Sequence, residues 1–195
     1  MHVYHTLPQG WIPTETVDLQ KDKKKALGVN GAATVTALLM GCVMHFFVPI
    51  QTLFDASGAF ADVLLRMGIL LGGMLVYLVL HEATHGAVMK AYGAQNLRFG
   101  FTGLYAYCGS KTDYFDRFAY VQTALAPLVL WGVVFVLLQV SVPREWFWVV
   151  WLLQITNVSG AAGDVYIVLH LCKLRRPVLV HDDGVVMDIA TQEET

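Results

Sequence analysis

Residues 67–89 read MGILLGGMLVYLVLHEATHGAVM, an apolar run that ends in two histidines and a glutamate. About 20 apolar residues are enough to cross the roughly 30 Å hydrocarbon core of a bilayer as a helix. Ionisable groups are costly at membrane depth and usually have a function or a partner there. The run therefore predicts a membrane-spanning helix with a functional site near its end.

Three other stretches have the same apolar character, which predicts four spans in all. The predicted spans are residues 27–54, 67–89, 120–142 and 147–171. The chain of 195 residues is 56% hydrophobic and 14% charged, too apolar for an ordinary soluble domain. The predicted fold class is an all-α membrane protein with four transmembrane helices in the lipid bilayer.

The lysines and arginines predict the orientation of the spans. Eleven of the thirteen lie before the first span, between the second and third, or after the fourth. Loops rich in lysine and arginine stay in the cytoplasm. We therefore predict a multi-pass protein with a cytoplasmic N-terminal arm (residues 1–26), a four-helix transmembrane domain (27–172) and a cytoplasmic C-terminal tail (173–195).

Charge and cysteine content exclude two other classes of protein. A net charge of -2 provides no basic surface for nucleic acid, so no nucleic-acid partner is expected. Cys42, Cys108 and Cys172 are widely spaced and odd in number, which argues against a disulfide framework.

His81, Glu82 and His85 form the pattern His-Glu-x-x-His within the second span. Residues i and i+4 lie one above the other on a helix, so both imidazoles can bind one Zn²⁺. Glu82 would then take a proton from a zinc-bound water and pass it to the leaving amine. On a soluble helix the same cluster would often be a solvated polar face, but here such a face needs a water-filled cavity. The motif predicts zinc-dependent, intramembrane or juxtamembrane hydrolysis of peptide bonds.

A catalytic zinc needs a third protein ligand, for which Asp164, His170 and His45 are candidates. A helix rises about 1.5 Å per residue, so position along a span gives depth. His81 and Asp164 each lie nine residues before the lysine at the cytoplasmic end of the span, at about the same depth of 13 Å. His170 would lie close to that boundary, and His45 near the opposite face. We predict Asp164 as the third ligand, in a site near the cytoplasmic side.

Asn157 lies two turns before Asp164 on the same predicted helix face, where an amide needs a partner. It is a candidate substrate-binding residue, and an interhelical hydrogen bond that joins two spans is an equally good interpretation. Small residues at 159, 160 and 163 would allow another helix to approach closely. Gly68 and Gly72 on the second span offer a matching surface for span four, or the interface of a homodimer.

Residues 96–110, between the second and third spans, alternate aromatic side chains with glycines. This composition predicts a small β-hairpin or re-entrant segment at the cytoplasmic interface. Its edge could hold an unwound substrate in an extended conformation, or its aromatic side chains could anchor it in the interface. In the tail, apolar runs on both sides of residues 181–184 predict a second short hairpin.

Together these features resemble the small membrane family called putative zincin peptidases, which is similar in plan to the site-2 proteases, zinc enzymes that cut transmembrane regulators. The resemblance is carried by His81–Gly86, Tyr92-Gly93, Phe99–Tyr107, Ala126-Pro127, Asn157 and Ser159–Asp164. It implies a zinc metalloprotease that acts on a membrane protein or peptide substrate. It also implies zinc on His81, His85 and Asp164, with Glu82 as the base.

Two other functions use buried histidines and acids. A zinc-binding membrane protein without hydrolysis would keep the histidines but would not need Glu82. A metal or proton transporter normally needs polar groups along a path through the whole bilayer. In this sequence they cluster near the cytoplasmic end, apart from His45, which favours the peptidase.

Overall fold

The computed structural model describes residues 2–103 and 105–193. Four helical segments in these ranges are long and apolar enough to cross a membrane, as predicted. The first three are α1 (Lys23–Phe47), α2 (Phe60–Ala91) and α3 (Arg117–Ser141). The fourth consists of two helices in sequence, α4 (Phe147–Gly160) and α5 (Ala162–Lys173).

Local chemistry accounts for where these helices start and stop. The Asp22 side chain caps α1 by accepting from the amide of Lys25, and Asp116 caps α3 through the amide of Ala119. The first span ends at Phe47 and not at residue 54 as predicted. Val48 is extended because it precedes Pro49, and a short 3₁₀ turn, Ile50–Phe54, follows.

The fourth span is interrupted at Ala161, between α4 and α5. Gly160 and Gly163 flank this residue, and glycine weakens a helix by up to about 1 kcal/mol relative to alanine. The interruption places Asp164 in the first turn of α5. A carboxylate is favoured there by the exposed amides and the dipole of the helix N-terminus.

The prediction of an all-α fold is wrong, because the β structure is larger than one hairpin. The strands are β1 (Val3–Tyr4), β2 (Trp11–Val17), β3 (Leu97–Phe101), β4 (Ala106–Ser110), β5 (Tyr114–Asp116), β6 (Leu179–Asp182) and β7 (Met187–Gln192). Five of them form an antiparallel sheet in the order β1-β5-β6-β7-β2. β3 and β4 form the hairpin predicted for residues 96–110, and β6 and β7 form the predicted tail hairpin.

The five-stranded sheet packs on the end of the helix bundle. Phe115, Val180 and Ile189 of the sheet are almost fully buried, in one core cluster with Ala119 of α3 and Leu171 of α5. The N-terminal arm and the C-terminal tail therefore form one layer at the same end of the bundle. β2 lies at the sheet edge, which explains why it tolerates Pro13.

Gly68 and Gly72 do not pack against span four, contrary to the prediction. A Cβ added at either glycine would meet nothing within 4 Å, whereas one at Gly73 would lie 3.4 Å from Leu153 of α4. The glycine of α2 that faces α4 is therefore Gly73, one residue after the predicted Gly72. A homodimer through Gly68 and Gly72 stays a prediction.

Candidate metal centre

His81, His85 and Asp164 converge on one point between α2 and α5, and their ligand atoms all lie within 4.8 Å of one another. The two Nε2 atoms are 3.2 Å apart, and Asp164 oxygens lie 3.5 Å from His81 Nε2 and 3.6 Å from His85 Nε2. Ligands that bind zinc tetrahedrally at about 2.0–2.1 Å are separated by about 3.3–3.4 Å. Two imidazoles and a carboxylate are ligands typical of zinc, and the separations between their atoms are close to this value, so the residues present fit a zinc ion.

Tyr77 fixes the orientation of His81. Its hydroxyl donates to Oδ1 of Asn157 at 2.8 Å, so its oxygen is left to accept from Nδ1 of His81 at 2.9 Å. A proton on Nδ1 leaves the Nε2 lone pair for a metal. All three side chains are buried. Tyr77 was not among the site residues predicted from the sequence, although it lies one helical turn before His81.

A backbone carbonyl fixes the orientation of His85. Nδ1 of His85 donates to the carbonyl oxygen of Thr123 at 2.9 Å. In a regular helix this carbonyl would accept from the amide four residues later, but that residue is Pro127, which has no N–H. Pro127 therefore frees the carbonyl for the histidine. The proline inside an apolar span was the sequence signal that could have identified this contact.

Asn157 lies beside the metal centre with 0% of its surface exposed. Its Oδ1 accepts from Tyr77, and its Nδ2 donates to the carbonyl oxygen of Leu128 in α3 at 3.1 Å. The amide therefore joins α2, α3 and α4, which agrees with the interhelical interpretation. A role for Asn157 in binding substrate stays a prediction.

Glu82 lies next to the three converging residues on the wall of an open cavity of about 1040 Å³. The cavity is bounded by α1, α2, β4 and the α4–α5 junction. The backbone amide of Cys108 in β4 lies near the Glu82 carboxylate and interacts with it electrostatically. The arrangement places a carboxylate at the rim of the candidate metal centre, within a cavity large enough to admit water.

Asp182 is a further acid on the wall of this cavity, contributed by the tail hairpin. Its side chain accepts from the hydroxyl of Tyr120 and, at 2.8 Å, from the amide of Gly184. Burial raises the pKa of Asp182 to about 6, against the lowering effect of these hydrogen bonds. From the sequence, Asp182 was predicted only as part of a hairpin turn.

The other candidate ligands lie elsewhere. His170 Nε2 is 2.9 Å from a carboxylate oxygen of Glu15 in β2. Nδ1 of His45 accepts from the amide of Ile50 at 3.0 Å, at the opposite end of the bundle. Neither residue belongs to the group of potential ligands that the described ranges contain.

The fold and the site define a class: a protein with four helical segments long and apolar enough to cross a membrane, and a candidate metal centre on a His-Glu-x-x-His helix. A family model described as "Putative zincin peptidase" matches residues 74–178, more than half of the chain and the whole of the candidate centre. The chain belongs to that family, as the resemblance predicted. No curated protein and no solved structure matches the chain.

Proposed function

We propose that this protein is a zinc metalloprotease that hydrolyses peptide bonds within or beside the membrane. The observation that carries the proposal is the convergence of His81, His85 and Asp164 on one point beside Glu82. Zinc, when bound, would polarise the scissile carbonyl and acidify water in the site. Membership of the zincin peptidase family supports the same chemistry.

Glu82 acts as the general base and then as the general acid. Its carboxylate lines the cavity, so it can accept a proton from the attacking water. It then returns that proton to the nitrogen of the leaving amine as the peptide bond breaks. Proton transfer of this kind contributes about 10²–10⁴-fold to rate.

The outer edge of β4 is the proposed binding site for an extended substrate. The amide of Lys111 donates to the carbonyl of Asn96 at 3.0 Å, so the odd-numbered residues of this strand pair with β3. The backbone groups of Ala106 and Cys108 therefore point away from β3, and the Cys108 amide faces Glu82. A helical substrate has its carbonyls occupied by internal hydrogen bonds, and pairing with this edge would hold it unwound beside Glu82.

We further propose that the sheet end of the protein faces the cytoplasm. The N-terminal arm and the C-terminal tail share one sheet, so they lie at one end of the bundle. Eleven of the thirteen lysines and arginines belong to the segments at this end. The positive-inside rule places such segments in the cytoplasm, with the metal centre near that side.

The test compares zinc content and peptide hydrolysis in detergent-solubilised protein. Wild type is expected to hold about one zinc per chain and to cleave peptides from membrane-protein segments. Glu82→Gln should keep zinc and lose hydrolysis, whereas Asp164→Ala and the His81→Ala, His85→Ala double variant should lose zinc. Glu145→Gln, an exposed change at the opposite end, is the matched control.

Three outcomes would reject the proposal. Hydrolysis retained by Glu82→Gln would remove the general-base mechanism. Zinc binding in a folded wild type that cleaves none of the peptides would favour the non-catalytic zinc protein, and zinc or proton flux in proteoliposomes would favour the transporter.

A further inference from the structure

A second cavity, of about 560 Å³, lies at the sheet end of the protein and is separate from the metal centre. It is formed by the first turn of α3, the linker that follows α5, and residues of β1 and β2. Arg117, Arg175 and Arg176 line it, and Asp116 is its only acidic lining residue in the part of the chain that the structure describes. We call it the arginine cavity.

Arg175 and Arg117 have guanidinium N–H groups left over for a ligand of the arginine cavity. Both oxygens of Asp116 are engaged, one by the amide of Ala119 at 2.8 Å and the other by His2 at 2.7 Å. Arg175 is exposed and has no partner among the described residues. Arg117 donates to two backbone carbonyls through Nη2, but its buried Nε has no partner there. Guanidinium groups in this state favour an anion with several oxygens.

The exposed surface of α3 next to the arginine cavity is apolar. Phe118, at the edge of the cavity, is 56% exposed, and the exposed side chains of α3 continue in the same direction along the helix. These are Val129, Val133, Val136 and Val140. Trp11 and Tyr4 also line the cavity, and such residues are enriched where a membrane meets water. An anion held by the arginines would therefore lie directly above a lipid-facing helix surface.

We propose that the arginine cavity binds the phosphate of an anionic phospholipid, whose acyl chains lie along the exposed face of α3. The inference goes beyond peptide hydrolysis and depends only on the proposed position of the helices in a membrane. The apolar stripe distinguishes a lipid from a free phosphate ion, because a free ion would make no use of it. The headgroup class is a negatively charged phosphodiester such as that of phosphatidylglycerol.

The experiment measures lipid binding to the intact protein in a neutral detergent by native mass spectrometry. Phosphatidylglycerol and phosphatidylcholine are titrated separately against wild type and against an Arg175→Gln, Arg176→Gln double variant. A Lys23→Gln, Lys24→Gln variant removes the same charge from exposed residues at the start of α1. Arg117 is left intact because it holds the linker that follows α5.

We expect wild type to bind phosphatidylglycerol more tightly than phosphatidylcholine. The arginine variant should bind phosphatidylglycerol at least about tenfold more weakly than wild type does. The lysine variant should bind as wild type does. Equal weakening in both variants, no preference in wild type, or displacement of the lipid by an equimolar concentration of inorganic phosphate would each overturn it. Should the double variant fail to fold, Arg175→Gln alone repeats the test at an exposed position. The measurement requires neither zinc nor hydrolysis, so it is independent of the proposed peptidase activity.

Discussion

The carbonyl oxygen of Thr123 in α3 accepts a hydrogen bond from Nδ1 of His85 in α2, at 2.9 Å. This bond joins the metal centre to a helix that contributes no predicted metal ligand. It exists because Pro127 cannot donate to the same carbonyl. A proline inside a span thus has a positive role here, since it supplies an acceptor that orients a ligand.

Replacing Pro127 by alanine is therefore expected to have opposite effects on folding and on metal binding. The new amide can complete the helical hydrogen bond to Thr123, so the melting temperature should stay level or rise. His85 loses its acceptor, so zinc affinity should fall by about 10-fold or more. Chelator competition and a thermal melt measure the two quantities, and unchanged zinc affinity would show that the carbonyl does not position His85.

Tyr77→Phe removes the hydroxyl between His81 and Asn157 while keeping the ring. We expect zinc affinity to fall about 10- to 100-fold, because His81 loses the acceptor that fixes its tautomer and orientation. Tyr92→Phe is the matched control, since its hydroxyl bonds Gln122 on an exposed surface. Equal zinc affinity in the two variants would contradict the positioning role.

Gly109→Ala tests the proposed substrate edge. A Cβ at this position would overlap the backbone of Asp183 and Gly184 in the tail hairpin, and backbone atoms cannot move aside cheaply. Overpacking of this kind costs about 1–3 kcal/mol and would displace β4. Hydrolysis should fall while zinc content stays at wild-type level. Gly68→Ala, which meets nothing within 4 Å, serves as the control.

Asp113 lies outside the membrane-spanning helices and should make the stability of the fold depend on pH. Burial alone would raise its pKa, but hydrogen bonds from His5, Ser110 and the amides of Gln95 and Asn96 outweigh this effect and hold the pKa below its usual range. A carboxylate with a lowered pKa stabilises the fold above its unfolded pKa, and this stability is lost as pH falls through the folded value.

Asp113→Asn should therefore lower the free energy of unfolding at pH 7 by about 3 kcal/mol, the typical effect of breaking a buried charged network. The difference from wild type should start to shrink below about pH 4, where the carboxyl of the unfolded chain binds a proton, and should vanish only at the lower pH at which the folded carboxyl is also protonated. Thermal melts at pH 7 and pH 3 measure both values. A difference that stays constant with pH would show that the charge of Asp113 does not matter.

The metal centre was largely predictable because helical geometry is regular. The i, i+4 spacing of His81 and His85 places both side chains on one face of a helix. The constant rise per residue gave Asp164 the same depth in the membrane as His81. The residues that orient the ligands were harder to find. Thr123 acts through its backbone, so its own side chain carries no signal, and only Pro127 indicates that its carbonyl is free.

The sheet could not be predicted in the same way. Trp11–Val17 pairs with Met187–Gln192, which lies more than 160 residues later, and nothing local in either segment specifies the other. The two strands can pair only after the helices have folded and brought the two ends of the chain to the same edge of the sheet.

This pairing order has a consequence for biosynthesis. Within the sheet β2 has one neighbour, β7, and β7 is translated after all four spans. The N-terminal strand must therefore wait, unpaired, while the ribosome makes the rest of the chain. Asp182 reaches the cavity wall on β6, the strand next to β7. A nascent chain with every helix already made thus still lacks part of its cavity wall, which is complete only once β6 and β7 have also been made.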